Sequence, residues 1–318
     1  GDVKNIQISP LSLAIDNTIL TGKISVKRGK PSLYTIELDT DSVILDNYLP
    51  KIFNETSDTP ISVLKHLWKT MKWANDVDIN FNLKSGLIIY EKTSFDKVVF
   101  KGALQQGILN IQNLSIGEFL KSALHASGEI TGFGGDLQFS NLNYNFSTED
   151  FLPWLQRFNI EQPKWNYKYF QPFSSTGIAS MNHERFWLKA DNKTGDVVSS
   201  YSGRIEAKEN FALNGEISLQ ASDASEFLRS LPLNYITKDE KLGGLRLKGQ
   251  VVGGADKFKL SDMLLSVGAN TFQGVFGLDI SRPIPYFTAN LKINRFEPER
   301  FMSKGNETPR FTVDKMVT

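Results

Sequence analysis

Apolar side chains recur at every second position along residues 6–49, where Leu11, Leu13 and Ile15, then Ile24 and Val26, then Tyr34, Ile36 and Leu38 alternate with Ser, Asp, Lys, Thr and Glu. A period of two places one set on one face of a pleated strand. The unit therefore reads as strand, Gly turn at Gly22, strand, Pro turn at Pro31, strand and a short terminal turn. The alternation continues through residues 77–116, where Ile79, Phe81 and Leu83, then Leu87 to Tyr90, then Val98 and Phe100, then Ile108 to Ile111 predict four short strands separated by SG, TSFDK and QQG. A meander is the simplest topology for them. Leu137 and Phe139, then Leu142, Tyr144 and Phe146, change phase across Ser140 and Asn141. That change predicts a bulge or bend, because a one-residue slip otherwise turns the apolar set outward. Strands also follow at Ile178, Phe186 and Leu188 and from Tyr201 to Leu219.

Period 3.6 interrupts period two in four places. Ile61, Leu64, Leu67, Trp68 and Met71 form one stripe of a helix capped by Thr59 with Pro60 at its first position. Shorter helices are expected around Glu118 to Leu124, from Thr148 to Phe158, and in SDASEFLRSLPL, where Asp223 is the cap and Glu226 completes a capping box. The aromatic, Pro-bounded stretch QPKWNYKYFQPFSSTG reads as a linker or exposed strap.

The opening unit returns near the other end. Ser9, Ile15, Gly22, Pro31 and Tyr34 match Ser261, Val267, Gly274, Pro283 and Tyr286 at an offset of 252 residues, and after one inserted residue Leu38 matches Leu291 and Tyr48 matches Phe301. The organisation is a β repeat unit (1–50), a helix with a β-rich block (51–160), and a second β block that ends in a copy of the first unit (161–318).

About a dozen and a half one-faced strands against four short helices leave an apolar face that the helices cannot cover. Two sheets closing over it as a β-sandwich is one solution; one curved antiparallel sheet with an open apolar groove is the other. The alternation is compatible with both.

Composition removes several chemistries. A net charge of +1, from 36 basic and 35 acidic residues, gives no reason to expect nucleic acid. The absence of cysteine removes thiol nucleophiles, disulfides and thiolate metal sites together. His66, His125 and His183 lie in separate segments without a second ligand at metal spacing, and the adjacent His183 and Glu184 point to opposite faces of a strand. Gly128, Gly132, Gly134 and Gly135 precede an alternating strand rather than a helix, so they read as turn glycines and not as a phosphate cradle. No catalytic residue, metal or cofactor is expected. No apolar run reaches the roughly 18 residues of a membrane-crossing helix, and the chain reads as part of something longer.

Three stretches resemble the AsmA family of bacteria. They are residues 8–50 with a T-x-L-x-G step and a D-x-Y-L-P ending, the succession Pro60 to Leu67, Asp76 to Leu83 and Lys101 to Ile111, and the strand running into D-x-S-x-F-L-R-S-L near Asp223. The resemblance implies a mainly β, elongated, repeating β-groove fold. It further implies a non-enzymatic protein of the periplasm, tethered to the inner membrane by an N-terminal segment outside this chain. Its partners would be phospholipid and, through the parent protein, the inner and outer membranes. Acyl chains would slide along the apolar wall, for which Ile79, Phe81, Leu83, Val98, Phe100, Leu109, Ile111, Leu137, Phe139, Leu265 and Val267 are the candidates. A structural or assembly factor for outer-membrane proteins and a carbohydrate-binding β-sandwich are the other readings.

Overall fold

The computed structural model describes residues 5–16, 18–48, 68–158, 167–182, 185–206, 212–230, 241–254, 256–279, 281, 286–294 and 299. They divide into two compact units, 1–160 with 176–183 and 161–175 with 184–318. The first contains β1 (Asn5–Ile15), β2 (Thr18–Lys27), β3 (Leu33–Ile44), β4 (Asp78–Tyr90), β5 (Thr93–Gln105), β6 (Ile108–Phe119), β7 (Ser122–Thr131), β8 (Gln138–Thr148) and most of β9 (Phe173–Asn182). The second contains β10 (Arg185–Thr194), β11 (Val197–Glu206), β12 (Ala212–Ala221), β13 (Leu245–Gly254), β14 (Lys257–Val267), β15 (Asn270–Asp279) and β16 (Tyr286–Ile293). In each unit hydrogen-bonded neighbours follow chain order, and the sheet is open and curved. No second sheet lies over it among the described residues. The fold is thus mainly β with an open sheet, and the closed sandwich is not the architecture.

Neighbouring strands run antiparallel from β1 to β3, from β4 to β8 and from β10 to β16. Between these runs β3 and β4 lie parallel. A parallel pair needs a crossover, and residues 45–77 supply it. Side-chain alternation carries no sign of strand direction, so this pairing is invisible in the pattern.

The strands are longer than the sequence suggests. Residues 79–83 and 87–90 belong to one strand, β4, with Ser85 and Gly86 inside it, and residues 93–97 open β5 rather than forming a turn. The reversal is at Glu91 and Lys92, both with positive φ (45° and 65°). A second such turn, Leu120 and Lys121 at φ 49° and 58°, replaces the helix expected at 118–124 with the hairpin of β6 and β7. Two-residue hairpin turns of type I′ need positive φ at both positions and usually advertise it with Asn or Gly. Here strand pairing on both sides imposes it on residues of good helix propensity, and tertiary context overrides that propensity. Gln106 and Gly107 form the third, at φ 50° and 72°, where the QQG signal predicts it.

Over their described residues, the segments that match in sequence also match in structure; Pro283 and Phe301 lie outside them. An offset of 252 carries the bounds of β1 and β2 onto those of β14 and β15, and an offset of 253 carries the first residue of β3 onto that of β16. Both copies break register at the same place, between Ile8 and Leu11 in one and between Leu260 and Met263 in the other. Where the ladder resumes, Leu11 and Met263 each pair with a glycine at unusual positive φ, Gly22 at 147° and Gly274 at 144°. Gly22 is therefore not a turn residue but the middle of β2; the reversal lies at Asp16, as it does at Gly268 in the second copy.

The same device produces the phase change across Ser140 and Asn141. Asn141 takes φ 49°, the ladder shifts between Ser127 and Glu129, and Gly128, at φ 150°, sits with Leu142 Cα 2.7 Å from the position a Cβ would occupy. Gly128 is thus a strand residue of β7, while Gly132, Gly134 and Gly135 lie in the loop that follows.

Of the expected helices, the one at 61–71 lies outside the described residues except for its helical end at 68–70. The helix expected at 148–158 begins only at 152, because Thr148 still belongs to β8: α1 is Leu152–Arg157. The last is α2, Ala224–Ser230, and Asp223 caps it by accepting the Ser225 N–H at 2.8 Å.

A Cβ on Gly274 would lie 2.0 Å from the Asn290 carbonyl oxygen. Gly274→Ala is expected to cost more than ~2 kcal/mol of stability. Gly195→Ala, at φ 55° with nothing within 4 Å of the new methyl, is expected to cost ~1 kcal/mol. Urea unfolding of both variants checks the contrast; equal costs would show that the close strand approach at Gly274 is not needed.

Candidate functional site: the apolar face of the sheet

Register turns the alternation into continuous rows. In the first unit Ile6, Val26, Tyr34, Ile79, Leu104, Leu109, Ile130 and Phe139 are cross-strand partners in succession, from β1 to β8. Two residues along, Ile8, Ile24, Ile36, Phe81, Gly102, Ile111 and Gly128 make a second row. Leu11, Gly22, Leu38, Leu83, Phe100, Leu114, Ala126 and Tyr144 make a third. Directly paired residues share a face, so this side is apolar across eight strands. The opposite side carries rows such as Ser25, Thr35, Asn80, Ala103, Asn110, Glu129 and Ser140, and the Lys23–Glu37 ion pair at 3.0 Å.

The second unit repeats the arrangement. Phe186, Ile205, Leu213, Gly253, Phe258, Leu278 and Phe287 are successive partners from β10 to β16, as are Leu188, Gly203, Gly215, Val251, Leu260, Phe276 and Ala289. Tyr201 brings a phenol to this side. Its hydroxyl donates to the Arg204 carbonyl at 2.9 Å, and burial pushes its pKa up. The other side is polar, with Ser200 and Ser218 hydroxyls 2.7 Å apart and Gln250 Nε2 donating to Glu216 Oε1 at 2.9 Å.

Both ends of the first face are covered, and its middle is not. At one end Trp68 stacks on Phe133 at 4.3 Å, with Ala74, Leu104 and Leu137 buried around them. Trp68 Nε1 donates to the Thr131 carbonyl, Gly134 N–H donates to the Trp68 carbonyl, and Asn75 Nδ2 donates to the Phe133 carbonyl, so the plug is tied to the loop after β7. At the other end Trp154 of α1 packs on Phe119 and Phe146, its Nε1 donating to Ser122 Oγ at 2.8 Å. Arg157 anchors the helix to Thr93 Oγ1 (3.0 Å) and Glu91 (3.4 Å). Between these ends Ile24, Ile36, Leu38, Phe81, Leu83, Phe100 and Leu114 are only half-buried. On β1 the face is bare: Ile6, Ile8 and Leu13 are 45%, 51% and 42% exposed.

The second unit has a corresponding cover. Its α2 follows β12 as α1 follows β8, and an Asp precedes each helix: Asp150 accepts the Leu152 N–H at 2.9 Å and Asp223 accepts the Ser225 N–H. Four residues after each Asp comes an aromatic, Trp154 or Phe227, that packs on the end of the apolar face. Phe227 joins Val197, Ala221, Leu242, Leu245 and Val267, with Tyr169 and Leu265 alongside.

The sequence candidates fall into three groups. Ile79, Phe81, Leu83, Val98, Phe100, Leu109 and Phe139 lie half-buried on the first face, with Phe81 and Phe100 rings 4.6 Å apart. Ile111 and Leu137 are buried, Leu137 as part of the Trp68 plug and just ahead of β8. Leu265 and Val267 belong to the second unit, Val267 buried beneath α2. Ile36, Leu38 and Tyr144, read from the pattern as apolar positions of their own strands, are not among the candidates, nor are Leu114 and the covering Trp154; only the register joins them to this face.

Among the described residues no group of His, Asp or Glu has the arrangement to hold a metal ion. His183 and Glu184 lie outside the described residues. Among the described residues the most perturbed titrating group is Tyr169, whose phenol is pushed up to about 12 by burial and by the negative charges of Asp196 and Glu226. Asp196 itself is held low by hydrogen bonds from Ser222. These groups serve the α2 end of the sheet: Asp196 Oδ2 accepts the Ser222 N–H at 2.9 Å, and the Tyr169 hydroxyl donates to Asp196 Oδ1 at 3.4 Å.

Since the folded state holds the Tyr169 proton more tightly than the unfolded chain, its contribution to stability is present below about pH 10 and lost as pH rises from there toward about 12. Urea midpoints between about pH 9 and pH 11 are expected to fall more steeply in the native protein than in Tyr169→Phe. Identical slopes would remove Tyr169 from the account.

No protein-family model, curated protein or solved structure matches the chain, so the functional reading rests on the two apolar faces and on the motifs of the sequence.

Proposed function

We propose that the open apolar face holds and conducts the acyl chains of phospholipid, without making or breaking bonds, in a protein of AsmA type that works in the bacterial periplasm. The observation that carries this reading is the three-row apolar side of the first unit, closed by aromatic plugs at its ends and left half-exposed between them. Contiguous exposed apolar patches beyond a few hundred Å² are rare on monomeric proteins and mark interaction surfaces. A second sheet would cover such a face in a sandwich; here a lipid tail does. Each methylene withdrawn from water contributes ~0.8 kcal/mol, so ten of them supply ~8 kcal/mol before ordering costs. The wall is uniform from strand to strand, so an acyl chain moves along it without losing a specific bond.

Native mass spectrometry of the purified protein is expected to show bound phospholipid. Phe81→Asp is expected to reduce it, with far-UV circular dichroism largely unchanged. Ile8→Asp, at a position 51% exposed, gives the same test with a stability change within ~0.5 kcal/mol. Protein that purifies free of lipid and takes up none from vesicles would contradict the proposal.

A further inference from the structure

We propose that the turn between β2 and β3 binds the phosphate of a phospholipid headgroup, which makes anionic phospholipid the ligand of the first face and fixes the end at which its headgroup lies. Lys27, Arg28 and Lys30 put three positive charges into four residues, and all three are exposed. Among the described residues none of them is in an ion pair. The strands that carry the turn are paired on both sides, β2 by β1 and β3, and β3 by β2 and β4. The turn is therefore interior to the sheet.

Two contrasts within the molecule separate this charge from the needs of the fold. The repeat places Asp279, Ile280, Ser281 and Arg282 where Lys27, Arg28, Gly29 and Lys30 stand, so the second copy keeps the following Pro but has no net charge. Its Asp279 is moreover paired with Lys257 at 3.5 Å. At the opposite end of the same strands the connections are acidic: Asp16 joins β1 to β2 and Asp46 follows β3, neither in an ion pair among the described residues. An anion is thus favoured at one end of these strands and repelled at the other. Open apolar wall begins beside the basic end. One residue inward from the Lys27 and Leu33 pair, about 3.3 Å along the strand, Val26 pairs with Tyr34, which is 37% exposed. The Trp68 plug takes in no residue of β2 or β3. By alternation Lys27 belongs to the polar side, so Arg28 and Lys30 are the pair for a phosphate over the first row. Arginine grips phosphate oxygens with two parallel N–H donors, and lysine adds a compact charge. A choline or ethanolamine headgroup would bring a further cation to this turn; a glycerol headgroup brings none. The assignment rests on the lipid reading of the face and adds the headgroup to it.

The test offers the protein phosphatidylcholine vesicles doped with either deuterated phosphatidylglycerol or deuterated diacylglycerol of the same acyl chains, and reads bound label by native mass spectrometry. Phosphatidylglycerol is expected to exceed diacylglycerol about tenfold, the worth of one or two charge-assisted hydrogen bonds. Arg28→Glu with Lys30→Glu is expected to bring phosphatidylglycerol down to the diacylglycerol level and to leave diacylglycerol unchanged. Lys84→Glu with Lys101→Glu makes the same change of net charge at exposed positions on the polar side and is expected to leave both uptakes as in the native protein. Inorganic phosphate at millimolar concentration is expected not to displace the lipid, because it gains nothing from the apolar rows. Equal uptake of the two lipids by the native protein overturns the proposal and leaves the acyl wall standing, whereas uptake of neither overturns both. Equal losses in the two double variants would reduce the effect to net charge and overturn it. Full displacement by inorganic phosphate would make the turn a site for a free anion and overturn the headgroup assignment.

Discussion

Everything in this structure depends on keeping one side of a long strand apolar while the strand bends. A period-two pattern fails as soon as one residue is inserted, because each later side chain changes face. The chain inserts residues repeatedly and sets a glycine beside each insertion: Gly128 faces one directly, and Gly22 and Gly274 pair with Leu11 and Met263, the first residues after two others. A Cβ at each would collide with a neighbouring backbone, that of the inserted strand at Gly128 and that of the strand on the other side at Gly22 and Gly274. The sequence shifts its own phase at the same place, so Leu142, Tyr144 and Phe146 rejoin the face that Phe139 left. Bulge, glycine and phase shift are one device with three visible parts.

This device also explains why so much of the sheet is legible in the sequence. The alternation at 6–49, its return at 258–302, the bulge at Asn141 and the cap at Asp223 are all local signals: each is set by residues a few positions apart. What escapes reading is set by distant residues. Glu91 with Lys92 and Leu120 with Lys121 turn the chain because the strands on either side pair, not because their own preferences ask for it. The parallel partnership of β3 and β4 leaves no mark in side-chain alternation. Trp68 and Trp154 announce an apolar contact but not its location, and only the folded chain shows them at opposite ends of the same face.

The two helices that close strand ends suggest how such a face is kept from growing without limit. Each is short, each is started by an Asp accepting an N–H two residues on, and each turns an aromatic side chain onto the last row of the sheet. Their polar anchors, Arg157 on Glu91 and Asp196 on Ser222, lie beside the cover rather than on the apolar rows. Polar groups thus fix the covers, and the rows themselves stay free of charge. That division is what a surface for acyl chains requires and what a catalytic cleft does not.

The central claim is that one side of the first sheet meets lipid tails and the other meets water. Photocrosslinking tests it most directly. A benzophenone side chain placed singly at Leu38, Leu83 and Leu114, and separately at Glu37, Lys101 and Glu129, would be irradiated in protein loaded with phospholipid. Acyl adducts are expected from the first three positions and not from the second three. Adducts from both sides alike, or from neither, would contradict the account.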